Sequence, residues 1–114
     1  MSEERGAASE LGRFAEPAML VLVSLSDGPK HGYAIMTDVE AFAASSLGPG
    51  TLYAVLARLQ AGGLIEPLES DDRRRPYRIT AAGAAALSGQ LAEMRRFLRI
   101  GRLRLRGASE GLDR

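Results

Sequence analysis

The chain has 114 residues, 46% of them hydrophobic and 25% charged, the balance of one soluble globular domain. It holds no cysteine and a single histidine. Disulfides, thiolate metal sites and His-based catalytic or metal clusters within one chain are thereby excluded, and no cofactor is expected. The net charge of +1 hides an asymmetry: residues 1–70 carry nine acids and four bases, whereas residues 71–106 carry three acids and ten arginines. Such a division points to a polyanion-binding half, although a solvated arginine-rich helix face explains the charge equally well.

Residues 1–13 are polar and small and read as a flexible N-terminus, without the apolar run of a signal peptide. The longest aliphatic run, residues 19–23, is too short for a bilayer, so the reading is cytoplasmic with no membrane partner. Pro17 opens an apolar helix to Leu25, since its missing N–H would be unpaired in a first turn anyway. "SDGPKHG" is a turn. Gly32 to Ala44 then places Ile35, Met36, Val39 and Phe42 at helical spacing. His31 reads as a capping or packing residue and Tyr33 as a core residue. After "SSLGPG", a third helix from Thr51 to Ala61 puts Leu52, Val55, Leu56 and Leu59 on one face, and Gly62 and Gly63 end it. Its other face is Ala54, Ala57 and Ala61.

"LIEPLES" and "PYRIT" flank the charged tip "DDRRR", the pattern of a hairpin. Pro67 and Pro76 keep that hairpin short, because proline cannot donate to a ladder. Thr80 is placed to cap a final helix reaching about Arg106, followed by a flexible tail over residues 107–114. In that helix Ala84, Leu87, Leu91, Met94, Leu98, Gly101 and Leu105 are spaced alternately by three and four residues, a heptad seam. At roughly 40 Å the helix is longer than so small a domain can cover, which favours a second chain as its partner.

Three short helices followed by a hairpin is the order of a winged helix-turn-helix. The expected fold is therefore mainly α with a small β-hairpin (α+β): a DNA-binding domain over residues 14–80 and a C-terminal dimerisation helix over residues 81–106. Double-stranded DNA is the expected partner. Thr51, Tyr53 and Arg58 on the third helix, Arg73, Arg74, Arg75 and Arg78 on the wing, and Lys30 at the second helix are its candidate contacts. Leu87, Leu91, Met94, Leu98, Gly101 and Leu105 are the candidate dimer interface. A winged helix also serves as a protein-interaction module or a small-molecule sensor, and the fold alone does not choose among these. No P-loop, Rossmann glycine pattern or nucleophile elbow is present, so an enzyme is not expected.

The stretches "HGYAI", "GPGTLYAVLARLQAGGLI" and "RRRPYRITAAGAAAL" resemble, in that order, the PadR family of bacterial transcriptional regulators. The likeness runs from about Pro17 to Leu87, and the single C-terminal helix is similar to the family's short branch. The resemblance implies a homodimeric, usually repressing, DNA-binding protein. It also implies a candidate effector that is small and apolar or aromatic. The sequence departs from the pattern at Ala54, where proline is common. It also contains no tryptophan, so members that hold planar drugs between aromatic rings do not guide ligand binding here.

Overall fold

The computed structural model describes residues 16–71 and 73–112; the expected flexible N-terminus lies outside them. Helix α1 spans Glu16–Leu25, α2 Gly32–Phe42 and α3 Pro49–Ala61. Strands β1 (Ile65–Pro67) and β2 (Tyr77–Ile79) follow, and α4 runs over Ala81–Leu112. The architecture is mainly helical with one two-stranded antiparallel sheet, as the pattern of apolar residues leads one to expect. Among the described residues no helix is long and apolar enough to cross a membrane.

The core forms where the apolar stripes of the first three helices meet. Val21, Leu22 and Leu25 of α1, Ile35 and Val39 of α2, and Leu52, Leu56 and Leu59 of α3 are buried together. Ile65 of β1, Leu47 of the α2–α3 loop and Leu87 of α4 close the cluster. Burial of this apolar area is the main favourable contribution to folding. Two expected core positions differ. Phe42 is 46% exposed, because α2 ends there and the chain turns away in extended conformation at Ala43. Tyr33 is 66% exposed, because it lies on the opposite side of α2 from Ile35 and Val39.

The one buried polar side chain among the core residues is Ser24, whose hydroxyl donates to Asp38 Oδ2 at 2.7 Å. That bond ties α1 to α2 and removes the cost of burying the hydroxyl unpaired. Helix α3 starts with Pro49 after an N-capping Gly48. It ends where Gly63 adopts φ of +75°, so that the Leu64 amide reaches the Leu59 carbonyl at 2.9 Å. This is the closing turn for which glycine is favoured, since a side chain disfavours the left-handed region.

The hairpin pairs Ile65 with Ile79, Glu66 with Arg78 and Pro67 with Tyr77. It is anchored on its other side as well: Lys30 and Tyr77 exchange both backbone hydrogen bonds, at 3.1 and 2.9 Å. The wing is thus stitched to the turn before α2. Thr80 begins α4 as expected, its hydroxyl accepting from the Gly83 amide at 3.0 Å while donating to the Gly63 carbonyl at 2.7 Å. Gly83 lies against the hairpin so closely that a Cβ there would fall 2.0 Å from the Leu64 carbonyl oxygen.

Helix α4 has 32 residues, a length of about 48 Å. It continues past Arg106 through Gly107 to Leu112, where a tail was expected. Gly107 and Gly111 each cost the helix only about 1 kcal/mol, and no proline interrupts the segment. Leu87, expected in the dimer seam, is 7% exposed and belongs to the chain's own core, because the first turns of α4 pack on α1 and the hairpin. Beyond it, Leu91, Met94, Leu98 and Leu105 are between 47% and 71% exposed.

Replacing Gly83 with alanine should destabilise the fold by about 3 kcal/mol, the overpacking cost outweighing the helix propensity gained. The same change at Gly89, where a Cβ meets nothing within 4 Å, should stabilise by up to about 1 kcal/mol. Urea unfolding of the two variants checks both signs.

Candidate nucleic-acid interface

Helix α3 buries Leu52, Leu56 and Leu59 with Val55 half-buried, so its remaining face must meet solvent or a partner. At 100° per residue the centre of that face is Gly50, Ala54, Ala57 and Ala61, all exposed. Its two flanks differ. Tyr53 and Gln60 lie toward α2 and the wing. Thr51 and Arg58 lie on the other side, where with Ala54 they border a groove against Pro17 and Ala18 at the start of α1. The face is therefore a bare strip between two rows of hydrogen-bonding side chains, which lets a backbone approach closely.

The N-terminus of α3 supports the same use. Its N-cap is glycine without a side-chain bond, Pro49 carries no N–H, and the first helical bond runs from Leu52 to Gly48 at 2.9 Å. First-turn amides without helical partners, together with the helix dipole, favour an anion there.

The wing closes the other side. Arg73, Arg74 and Arg75 are exposed, and with Tyr77 they share one concavity with His31, Gly32, Tyr33 and Tyr53. Tyr53 is 55% exposed, and its ring leans on Gly32: a Cβ at Gly32 would lie 2.9 Å from the Tyr53 hydroxyl oxygen. His31 is the N-cap of α2, its Nδ1 accepting from the Ala34 amide at 3.2 Å, in agreement with a capping role.

Two expected contacts are occupied inside the chain. The Lys30 ammonium donates to the Ser24 carbonyl and to the Asp27 carboxylate, with Asp38 Oδ2 at 3.9 Å. Lys30 thereby satisfies a carbonyl left open at the end of α1 and is only 19% exposed, so it is directed inward rather than at a phosphate. Arg78 pairs with Glu66 across the hairpin, Nε donating to Glu66 Oε1 at 3.0 Å. That pair is half exposed and adds little stability, but it cancels the arginine's charge on the wing face. The expected set thus places Tyr53 beside the wing-tip arginines and Thr51 beside Arg58, and turns Lys30 and Arg78 toward partners within the chain. Tyr33 is a surface residue of the Tyr53 group that the composition of α2 alone did not reveal. The available signal was its spacing, since Tyr33, Thr37 and Glu40 share the face opposite Ile35 and Val39.

A helix with a clear outer face, set beside an arginine-tipped hairpin, defines a winged helix-turn-helix protein. Residues 21–89 match the sequence profile of the transcriptional regulator PadR-like family, and the chain belongs to that family. A PadR family transcriptional regulator from Eggerthella lenta superposes with a TM-score of 0.74 at 26% identity, covering 90% of this chain and 92% of that one. A transcriptional regulator from Clostridium thermocellum gives 0.70 at 25% identity, covering 81% and 91%. An uncharacterized 37.1 kDa protein in transposon TN4556 of Streptomyces fradiae is 46% identical over 84 residues, 74% of this chain. The chain spans 24% of the length of that curated relative.

The Lys30 hydrogen bond, and then its charge, hold the Asp27 carboxyl below its ordinary value of 3.8. A depressed carboxylate contributes stability above its unfolded value and loses it as pH falls through the folded one. The thermal midpoint of the unaltered chain should therefore fall more steeply below about pH 4 than that of Asp27→Asn. Parallel acid titrations of the two melting curves measure the difference.

Proposed function

We propose that the chain is a homodimeric, sequence-specific DNA-binding repressor acting at a palindromic operator. The observation that carries this reading is the shared surface of α3's bare outer face, Tyr53 and the wing-tip arginines. In a winged helix-turn-helix, α3 lies in the major groove of a half-site and the wing grips the neighbouring backbone or minor groove. With alanines at its centre, α3 touches thymine methyls at most, and Arg58 is its one side chain suited to a bidentate contact with guanine. Phosphate contacts and half-site spacing then carry much of the selectivity.

The exposed apolar side chains of α4 support the dimer. Leu91, Met94, Leu98 and Leu105 follow heptad spacing, Phe97 widens the strip, and a contiguous surface of this kind calls for a partner. Pairing about a two-fold axis would set two α3 helices about 34 Å apart, one turn of DNA. Occupying a promoter in this way blocks polymerase. A small apolar or aromatic effector bound along the seam would release DNA by changing the angle between the paired helices.

Selection from random duplex DNA should enrich a palindrome with half-sites one helical turn apart. Enrichment of no site, or binding indifferent to salt, would instead favour a protein-docking role. Leu98→Glu, at a position exposed in the single chain, should remain folded by circular dichroism, sediment as a monomer and lose operator binding. The pair Arg73→Ala and Arg75→Ala should weaken binding across many sequences and reduce the slope of log K against log salt by about 1 for each phosphate they neutralise.

A further inference from the structure

The concavity between α2 and the wing has a composition that the outer face of α3 lacks. It is lined by the phenols of Tyr33, Tyr53 and Tyr77, the imidazole of His31 and the wing arginines, and among the described residues no carboxylate lines it. With Nδ1 accepting from the Ala34 amide, the His31 ring presents its Nε2–H as a donor. Every polar side chain around the space thus offers a proton, which matches the acceptor-only oxygens of an anion such as a phosphate. The space is about 350 Å³, enough for one tetrahedral anion with its flanking ester oxygens. Gly32 sets its depth: without a side chain at that position, the Tyr53 hydroxyl settles onto the first turn of α2.

We propose that this concavity seats a single backbone phosphate of duplex DNA, held jointly by the Tyr33 and Tyr53 hydroxyls and the wing arginines Arg73 and Arg75. The inference rests on the DNA-binding reading and deepens it. One phosphate bridged by α2, α3 and the wing couples three elements that are otherwise separate contacts. The wing then cannot engage the backbone independently of Tyr33. Losing either side of the clamp forfeits the same interaction, so the losses are shared rather than multiplied.

The test uses the full chain and the duplex enriched by selection. Tyr33→Phe and Arg75→Ala should each weaken binding about tenfold, as expected for a hydrogen bond to a charged oxygen, and the double variant should be no weaker than the poorer single one. A duplex carrying one neutral methylphosphonate linkage at the seated position should be bound alike by all of them. Gly32→Ala, whose Cβ pushes the Tyr53 hydroxyl outward and meets the core Leu52 side chain only at ordinary contact distance, 3.4 Å, should stay folded and lose affinity to a similar degree. Wild-type affinity in Tyr33→Phe, or losses that multiply in the double variant, would overturn the proposal. So would displacement of the duplex by millimolar inorganic phosphate at constant ionic strength, which would assign the seat to the free anion. A wild-type chain that binds no duplex sinks the DNA reading itself, before any variant is compared.

Discussion

The close contact of Gly83 with the Leu64 carbonyl is the joint on which the molecule turns. A Cβ at that position would lie 2.0 Å from the carbonyl oxygen, far inside van der Waals distance. Only a glycine lets α4 leave the hairpin so tightly, and the Thr80 hydroxyl fixes the same spot by bonding both Gly63 and Gly83. The contact settles two directions at once. It sets the pose of the wing over α2, and it sets the direction in which the long helix departs from the domain. The DNA-facing surface and the apolar seam are therefore held in one relation by a few atoms.

A second constraint works on the opposite edge of the wing. The backbone bonds between Lys30 and Tyr77 form a single antiparallel bridge that pins the loop before α2 to the hairpin. The Lys30 side chain, meanwhile, reaches back to the end of α1. A residue that looks like a surface cation is in this way part of the scaffold that holds the wing. Its neighbours Ser24, Asp27 and Asp38 complete a polar link between α1 and α2. The Arg78–Glu66 pair joins the basic half of the chain to the acidic one, whereas the Lys30–Asp27 pair lies within the acidic half; the wing-tip arginines are on the outer surface.

Much of the fold was legible in the chain because it depends on local periodicity. The leucines of α3 and the aliphatic residues of α1 repeat at helical spacing, Gly63 marks a helix end, and two prolines bound a short hairpin. The errors fall where neighbours outside the segment decide. Leu87 continues the heptad seam by spacing, yet the hairpin and α1 claim it. Phe42 fits the stripe of α2, yet the helix stops before the core reaches it. Tyr33 was misplaced by residue type, although its position relative to Ile35 and Val39 argued for the surface.

The candidate site shows the same division. Sequence alone determined that a helix with an alanine face precedes an arginine-tipped hairpin, because side-chain chemistry and the 3.6-residue period are properties of the segment itself. It also determined that the chain has no cysteine and a single histidine. Tertiary structure alone decided which arginine and lysine charges remain outward, and which tyrosines meet at the wing. Those outcomes depend on distances between residues far apart in the chain: Glu66 against Arg78, Gly32 against Tyr53, Leu64 against Gly83. Packing brings such pairs together through the burial of a common core, and no local pattern encodes the separation at which they stop.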